Sequence, residues 1–94
     1  MIVQKNSDFR NILRHAFEVR GYLTWTCPAV EFAHSIFTAV QPNIVILDVE
    51  WEDADPVELA NRWKEMSPDT KVIMVHAHSV APLADLLEDI KPAA

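Results

Sequence analysis

The chain of 94 residues has a single glycine and a single cysteine. One glycine excludes the Gly-rich loops that hold phosphates and dinucleotides, because those loops need several positions without a Cβ. One thiol, Cys27, excludes an internal disulfide and a cysteine metal framework. It fits a reducing, intracellular setting. Basic residues are in deficit, with 8 Lys and Arg against 14 Asp and Glu and a net charge of −6. The chain has no basic stripe and a pI near 5.0, which excludes nucleic acid and anionic membrane surfaces as direct partners. No basic-then-apolar leader opens the chain and no apolar run approaches spanning length, so the expected localisation is cytoplasmic. Neither a nucleophile elbow nor a Ser-His-Asp order is found, and no enzyme is expected. Without linker, repeat or low-complexity segment, residues 1–94 read as one domain.

What is there centres on Pro42 to Trp51. Ile44, Val45, Ile46 and Leu47 form an unbroken aliphatic run. Alternation would leave one wet face, whereas an unbroken run means both faces are covered, as in a parallel sheet between helices. Asp48 ends that run. Ligand chemistry in open α/β sheets gathers at the carboxyl ends of strands, so an acid stands where an acid can act.

The remaining segments alternate with it. Ile2 and Val3 open a short first strand that ends near Lys5. Phe9, Ile12, Leu13, Ala16 and Phe17 share one helical face between Asp8 and Arg20, with Asn6 or Ser7 as cap and Gly21 as left-handed terminator. Tyr22 to Thr26 alternates and reads as an edge strand. Pro28 suits the first turn of a second helix, with Ala29, Phe32, Ala33, Ile36, Phe37 and Val40 as its apolar face. Asp55-Pro56-Val57-Glu58 has the cap, proline and glutamate of a helix start, and Leu59, Ala60, Trp63 and Met66 give that helix a buried side. After the turn Ser67-Pro68-Asp69, Lys71 to Val75 is a fourth strand. Leu83, Leu86, Leu87 and Ile90 mark a fourth helix. Strands alternating with helices predict an α/β fold with a parallel sheet and right-handed crossovers.

Four stretches resemble the receiver domain of two-component response regulators. They are Asp8-Phe9-Arg10 through Arg20-Gly21-Tyr22, Gln41 through Asp48, Asp55 through Leu59, and Ser67 through Met74. The resemblance implies a three-layer αβα, flavodoxin-like fold with strand order 2-1-3-4, and Asp48 at the phosphoacceptor position. It also implies a metal-binding acidic pair after the first strand, where this chain has Gln4 and Lys5. The family's switch hydroxyl matches His76. Its loop proline and glycine match Glu52 and Pro56. Lys91-Pro92 matches a Lys-Pro pair that ends a fifth strand, yet the segment from His76 to Lys91 is short. Either the fourth helix is cut down or the fifth βα unit is missing, and the second is expected.

An amide and an ammonium cannot supply the charge that magnesium wants. The leading expectation is therefore a degenerate receiver that works by protein contact, without cofactor, with Lys5 paired to Asp48 and blocking phosphoryl entry. The alternative is a conventional receiver that takes a phosphoryl group on Asp48 from a histidine kinase, with Mg2+ as cofactor. A third reading is an assembly subunit that keeps only the fold. His76 and His78 alternate, but two histidines make an incomplete metal site. Glu50, Glu52, Asp53 and Asp55 read as a solvated acidic loop, His15 and His34 as solvent-facing, and Cys27 as a small packing residue. Without a fifth unit, the apolar edge Val72 to Val75 is a pairing hazard. A homodimer or hetero-complex is therefore expected, with Trp51, Val72, Met74, Leu83 and Leu87 as interface candidates and a kinase or regulator as partner. Trp51 is equally consistent with burial against the acidic loop.

Overall fold

The computed structural model describes residues 1–52 and 54–76. Its sheet runs β2-β1-β3-β4, all parallel, from β1 (Ile2–Val3), β2 (Thr26–Cys27), β3 (Ile44–Asp48) and β4 (Lys71–Val75). The helices are α1 (Ser7–Glu18), α2 (Ala33–Val40) and α3 (Pro56–Met66). This is the expected α/β architecture in the expected strand order. The fourth helix, the absence of a fifth βα unit, and Lys91-Pro92 lie outside the described residues, as do Leu83 and Leu87.

Alternation along the strands divides the core in two. Ile2 and Ile46 point to one face, where Phe9, Leu13 and Phe17 of α1 cover them. Val3, Val45 and Leu47 point to the other, under Ala33 and Phe37 of α2 and Ala60 and Trp63 of α3. Trp63 is fully buried and stacks on Phe37, with ring centroids 4.7 Å apart at 8°. The unbroken run of β3 is thus covered on both sides, and Val45 to Asp48 are all buried.

The ends of the elements follow local chemistry. Asn6 caps α1, its Oδ1 accepting from Phe9 N–H at 2.9 Å. Gly21 has φ 86°, a conformation that costs little only without a Cβ. Asp55 caps α3 twice over, its Oδ1 accepting from Val57 N–H at 3.0 Å and Glu58 N–H at 3.2 Å, with Pro56 in the first turn. Asp55→Ala is expected to lower stability by about 1 kcal/mol, read as a shifted midpoint with unchanged m-value in urea unfolding. Buried Thr70 donates to the Pro42 carbonyl at 2.8 Å, tying the turn before β4 to the entry of β3.

Three expectations are corrected. The strand expected over Tyr22 to Thr26 shrinks to Thr26–Cys27. Leu23 is 79% exposed with no face to pack on, and only the Trp25 carbonyl meets β1, accepting from Ile2 N–H. The second helix does not begin at Pro28. Ala29 is extended and offers no side-chain cap, so the chain first winds a 3-10 turn, Val30–Phe32, before α2, and Phe32 stays exposed. Met66, expected on the buried side of α3, is 52% exposed at the last residue of that helix. The left-handed end of α2 falls on Gln41, φ 51°, a non-glycine residue at the position glycine would favour.

Candidate functional site at the carboxyl end of the sheet

Register determines which side chains meet. Ile2 pairs with Ile46 and Val3 with Leu47. The next residues, Gln4 and Asp48, therefore stand side by side at the strand ends, both on the α1 face by alternation. Both are buried, Gln4 at 1% exposure and Asp48 at 3%. Gln4 continues the strand one residue past β1, its N–H donating to the Cys27 carbonyl at 3.0 Å. Its side-chain Oε1 accepts from Asn6 N–H at 3.0 Å, while its Nε2 is buried with no partner among the described residues. A buried donor left unpaired costs about 1–3 kcal/mol.

Lys5 goes elsewhere. One residue further on, its side chain lies on the α2/α3 side, against a cavity shared with His34, Trp51 and Leu59. Among the described residues no ion pair within 4 Å joins it to Asp48. The expected Lys5–Asp48 clamp is thus corrected, and the neighbour of Asp48 is the Gln4 amide. The Arg10 guanidinium fixes the loop from behind, donating to the carbonyls of Gln4 at 2.9 Å and Lys5 at 3.4 Å.

Asp48 is held locally. Its Oδ1 accepts from Glu50 N–H at 3.0 Å, and its backbone carbonyl accepts the Trp51 indole N–H at 2.7 Å. Trp51 is half-buried against the core that α2 and α3 cover. His76, at the switch position, is exposed at the end of β4. Its Nδ1 lies 3.5 Å from Glu50 Oε1, a weak contact at the edge of the site. Of the acidic loop, Asp55 is spent on the α3 cap, Glu50 turns to His76, and Asp53 lies outside the described residues. No three His, Cys, Asp or Glu side chains come together in metal-holding geometry among the described residues.

One of two further residues differs from its sequence reading. His34 is not solvent-facing: its Nδ1 lies 3.2 Å from Trp63 Nε1. An indole N–H only donates, so Nδ1 is the acceptor in this bond, which leaves Nε2 to carry the ring N–H. Cys27 is a small packing residue as read, fully buried, with Sγ–H donating to the Ala29 carbonyl at 2.9 Å. Burial is the main cause that raises its thiol pKa above the ordinary 9.0. A raised folded pKa favours the neutral thiol. This contribution to stability is present below the ordinary value and lost as pH rises through the folded one. Labelling by a disulfide reagent at pH 8 is expected to proceed at the rate of opening of the fold, many-fold slower than for the urea-unfolded chain.

At β4, Lys71 N–H donates to Asn43 and the Val75 carbonyl accepts from Val49. Lys71 and Val75 thus turn their backbone toward β3, and Val72 and Met74 turn theirs outward. Among the described residues no strand pairs with that outer edge, and no described helix is long and apolar enough to cross a membrane.

No family model matches the chain. It is similar to the DNA-binding transcriptional regulator NtrC of Proteus hauseri, 32% identical over 81 residues that make up 83% of this chain and 16% of that protein. It is also similar to the sporulation initiation phosphotransferase F of Bacillus subtilis (strain 168), 28% identical over 78 residues, 83% of this chain and 63% of that protein. The chain therefore spans less than two thirds of either relative. Together with the β2-β1-β3-β4 parallel sheet and the carboxylate at the end of β3, the two alignments support a receiver domain of the response-regulator type, at modest identity.

Proposed function

We propose that this receiver domain is degenerate and signals by protein–protein contact, with Asp48 outside metal-dependent phosphoryl transfer. The observation that carries the reading is the identity of Asp48's register neighbour. Gln4 presents a neutral amide with an unpaired donor, and a hard divalent cation requires oxygen donors, preferably charged ones. Lys5, the other candidate ligand position, lies on the opposite face with the wrong charge. The residues present do not fit magnesium. The partner in this reading is a histidine kinase or regulator of a two-component pathway in the cytoplasm. The outward-turned Val72 and Met74 give a homodimer or hetero-complex an edge to pair with.

The conventional reading, phosphorylation of Asp48 by a histidine kinase, keeps one observation in its favour: the carboxylate sits at the strand end with only Oδ1 hydrogen-bonded among the described residues. Beryllofluoride with magnesium separates the two. The proposal expects unchanged amide spectra around Asp48, and saturable shifts that vanish in Asp48→Asn support phosphorylation. For the edge, light scattering at high micromolar concentration is expected to show a dimer of the 94-residue chain. A clean monomer removes the homodimer version.

A further inference from the structure

A cavity of about 600 Å³ opens between the 3-10 turn before α2 and the start of α3. Its apolar wall comes from Ala29, Val30, Trp51, Ala54 and Leu59, and His34 also lines it. The rim is charged unevenly. Glu31, Glu52, Asp55 and Glu58 line it together with Lys5 and Arg62. Arg62 is already paired with Glu58 at 3.7 Å, and the Asp55 carboxylate is taken by the α3 cap. Glu31 and Glu52 make no ion pair among the described residues. The chain as a whole carries −6, so the local excess of acid lies within an attractive field for cations.

We propose that this groove is a docking site for a basic, arginine-bearing peptide segment of a partner protein, resting on the protein-contact reading above. Charge complementarity selects the occupant: two acids without ion pairs stand over an apolar wall that includes an indole. A guanidinium matches both features, because its fork meets carboxylates and its plane stacks on aromatic faces. Trp51 is held in place by the bond from its N–H to the Asp48 carbonyl at 2.7 Å. His34 is held by Trp63 in the tautomer that leaves Nε2–H as a donor, suited to a backbone carbonyl of an extended peptide. The Trp51–Asp48 bond also joins the groove to the strand end, so an occupant that moves Trp51 is felt at Asp48.

The test is a titration of the 15N-labelled 94-residue chain without magnesium or phosphodonor. The probe is a capped peptide with one leucine and two arginines, and its counterpart has glutamates for the arginines. The arginine peptide is expected to shift the Trp51 indole and the amides of Glu31, Glu52 and Leu59. Glu31→Gln with Glu52→Gln is expected to weaken binding about fivefold at low salt, a difference that closes at high salt. Equal responses to both peptides, shifts confined to the β4 edge, or an unaffected double variant overturn the proposal. Both substituted residues are exposed, and the variant's own spectrum checks that it is folded. Phosphorylation of Asp48 in a separate experiment would overturn the degenerate reading and leave the titration result standing.

Discussion

Trp63→Ala is expected to lower stability by about 3–5 kcal/mol, the range for truncating a buried aromatic ring. That is a large fraction of the 5–15 kcal/mol typical of a small domain. Three losses combine. The side chain is 0% exposed at the centre of the core between the sheet, α2 and α3. Its stack on Phe37 disappears, a contact worth about 0.5–1.5 kcal/mol beyond area burial. His34 Nδ1 loses its donor in a half-buried position. Trp63→Phe keeps an aromatic ring on Phe37 and removes only the N–H, and is expected to cost about 1–2 kcal/mol. Urea unfolding of both variants checks the ranking. Equal losses would mean that the bond to His34, and not the ring, carries the site.

The second large effect is a gain. Gln4→Glu is close to isosteric, keeps an oxygen for Asn6 N–H, and replaces the orphaned amide donor with a carboxylate oxygen. It places a second carboxyl beside buried Asp48. Like charges and burial both raise the pKa of the introduced group above its unfolded value. Its penalty is therefore absent below about pH 4, the unfolded glutamate range, and grows as pH rises through the folded pKa. At pH 7 without metal the variant is expected to be about 1–3 kcal/mol less stable than the unsubstituted chain. Magnesium should reverse the deficit, because a cation that binds only the folded state stabilises it by mass action. Affinity for the metal is expected to rise at least tenfold, about 1.4 kcal/mol. Lys5→Asp, on the opposite face, should change it little. Thermal unfolding with and without magnesium reads both effects. A gain confined to Lys5→Asp would show that the two side chains are assigned to the wrong faces.

That assignment is where the sequence stops being sufficient. Pro42 to Trp51 was legible because an unbroken run of Ile44 to Leu47 is stable only when covered on both faces, and its aspartate therefore falls at a strand end. Asp55-Pro56 was legible because a cap and a first-turn proline act through their own backbone. The first strand has only two residues, too few to establish alternation beyond Val3. Only pairing with β3 shows that Gln4 and not Lys5 faces Asp48. His34 carried no local signal, since its partner Trp63 is 29 residues away. Leu23 and Trp25 misled for the opposite reason: exposed apolar residues in alternation look like a half-buried strand until it is known that nothing covers them. The left-handed conformation of Gln41 at the end of α2 had no composition marker, because the residue is not glycine.

The central claim is that Asp48 keeps its place in the fold while its surroundings no longer support metal-dependent phosphoryl transfer. Intact-mass measurement after incubation with acetyl phosphate and magnesium tests it most directly, with Asp48→Asn as control. The expected spectrum shows no phosphoryl increment on the unsubstituted chain. A stoichiometric increment that requires both magnesium and Asp48 would contradict the account.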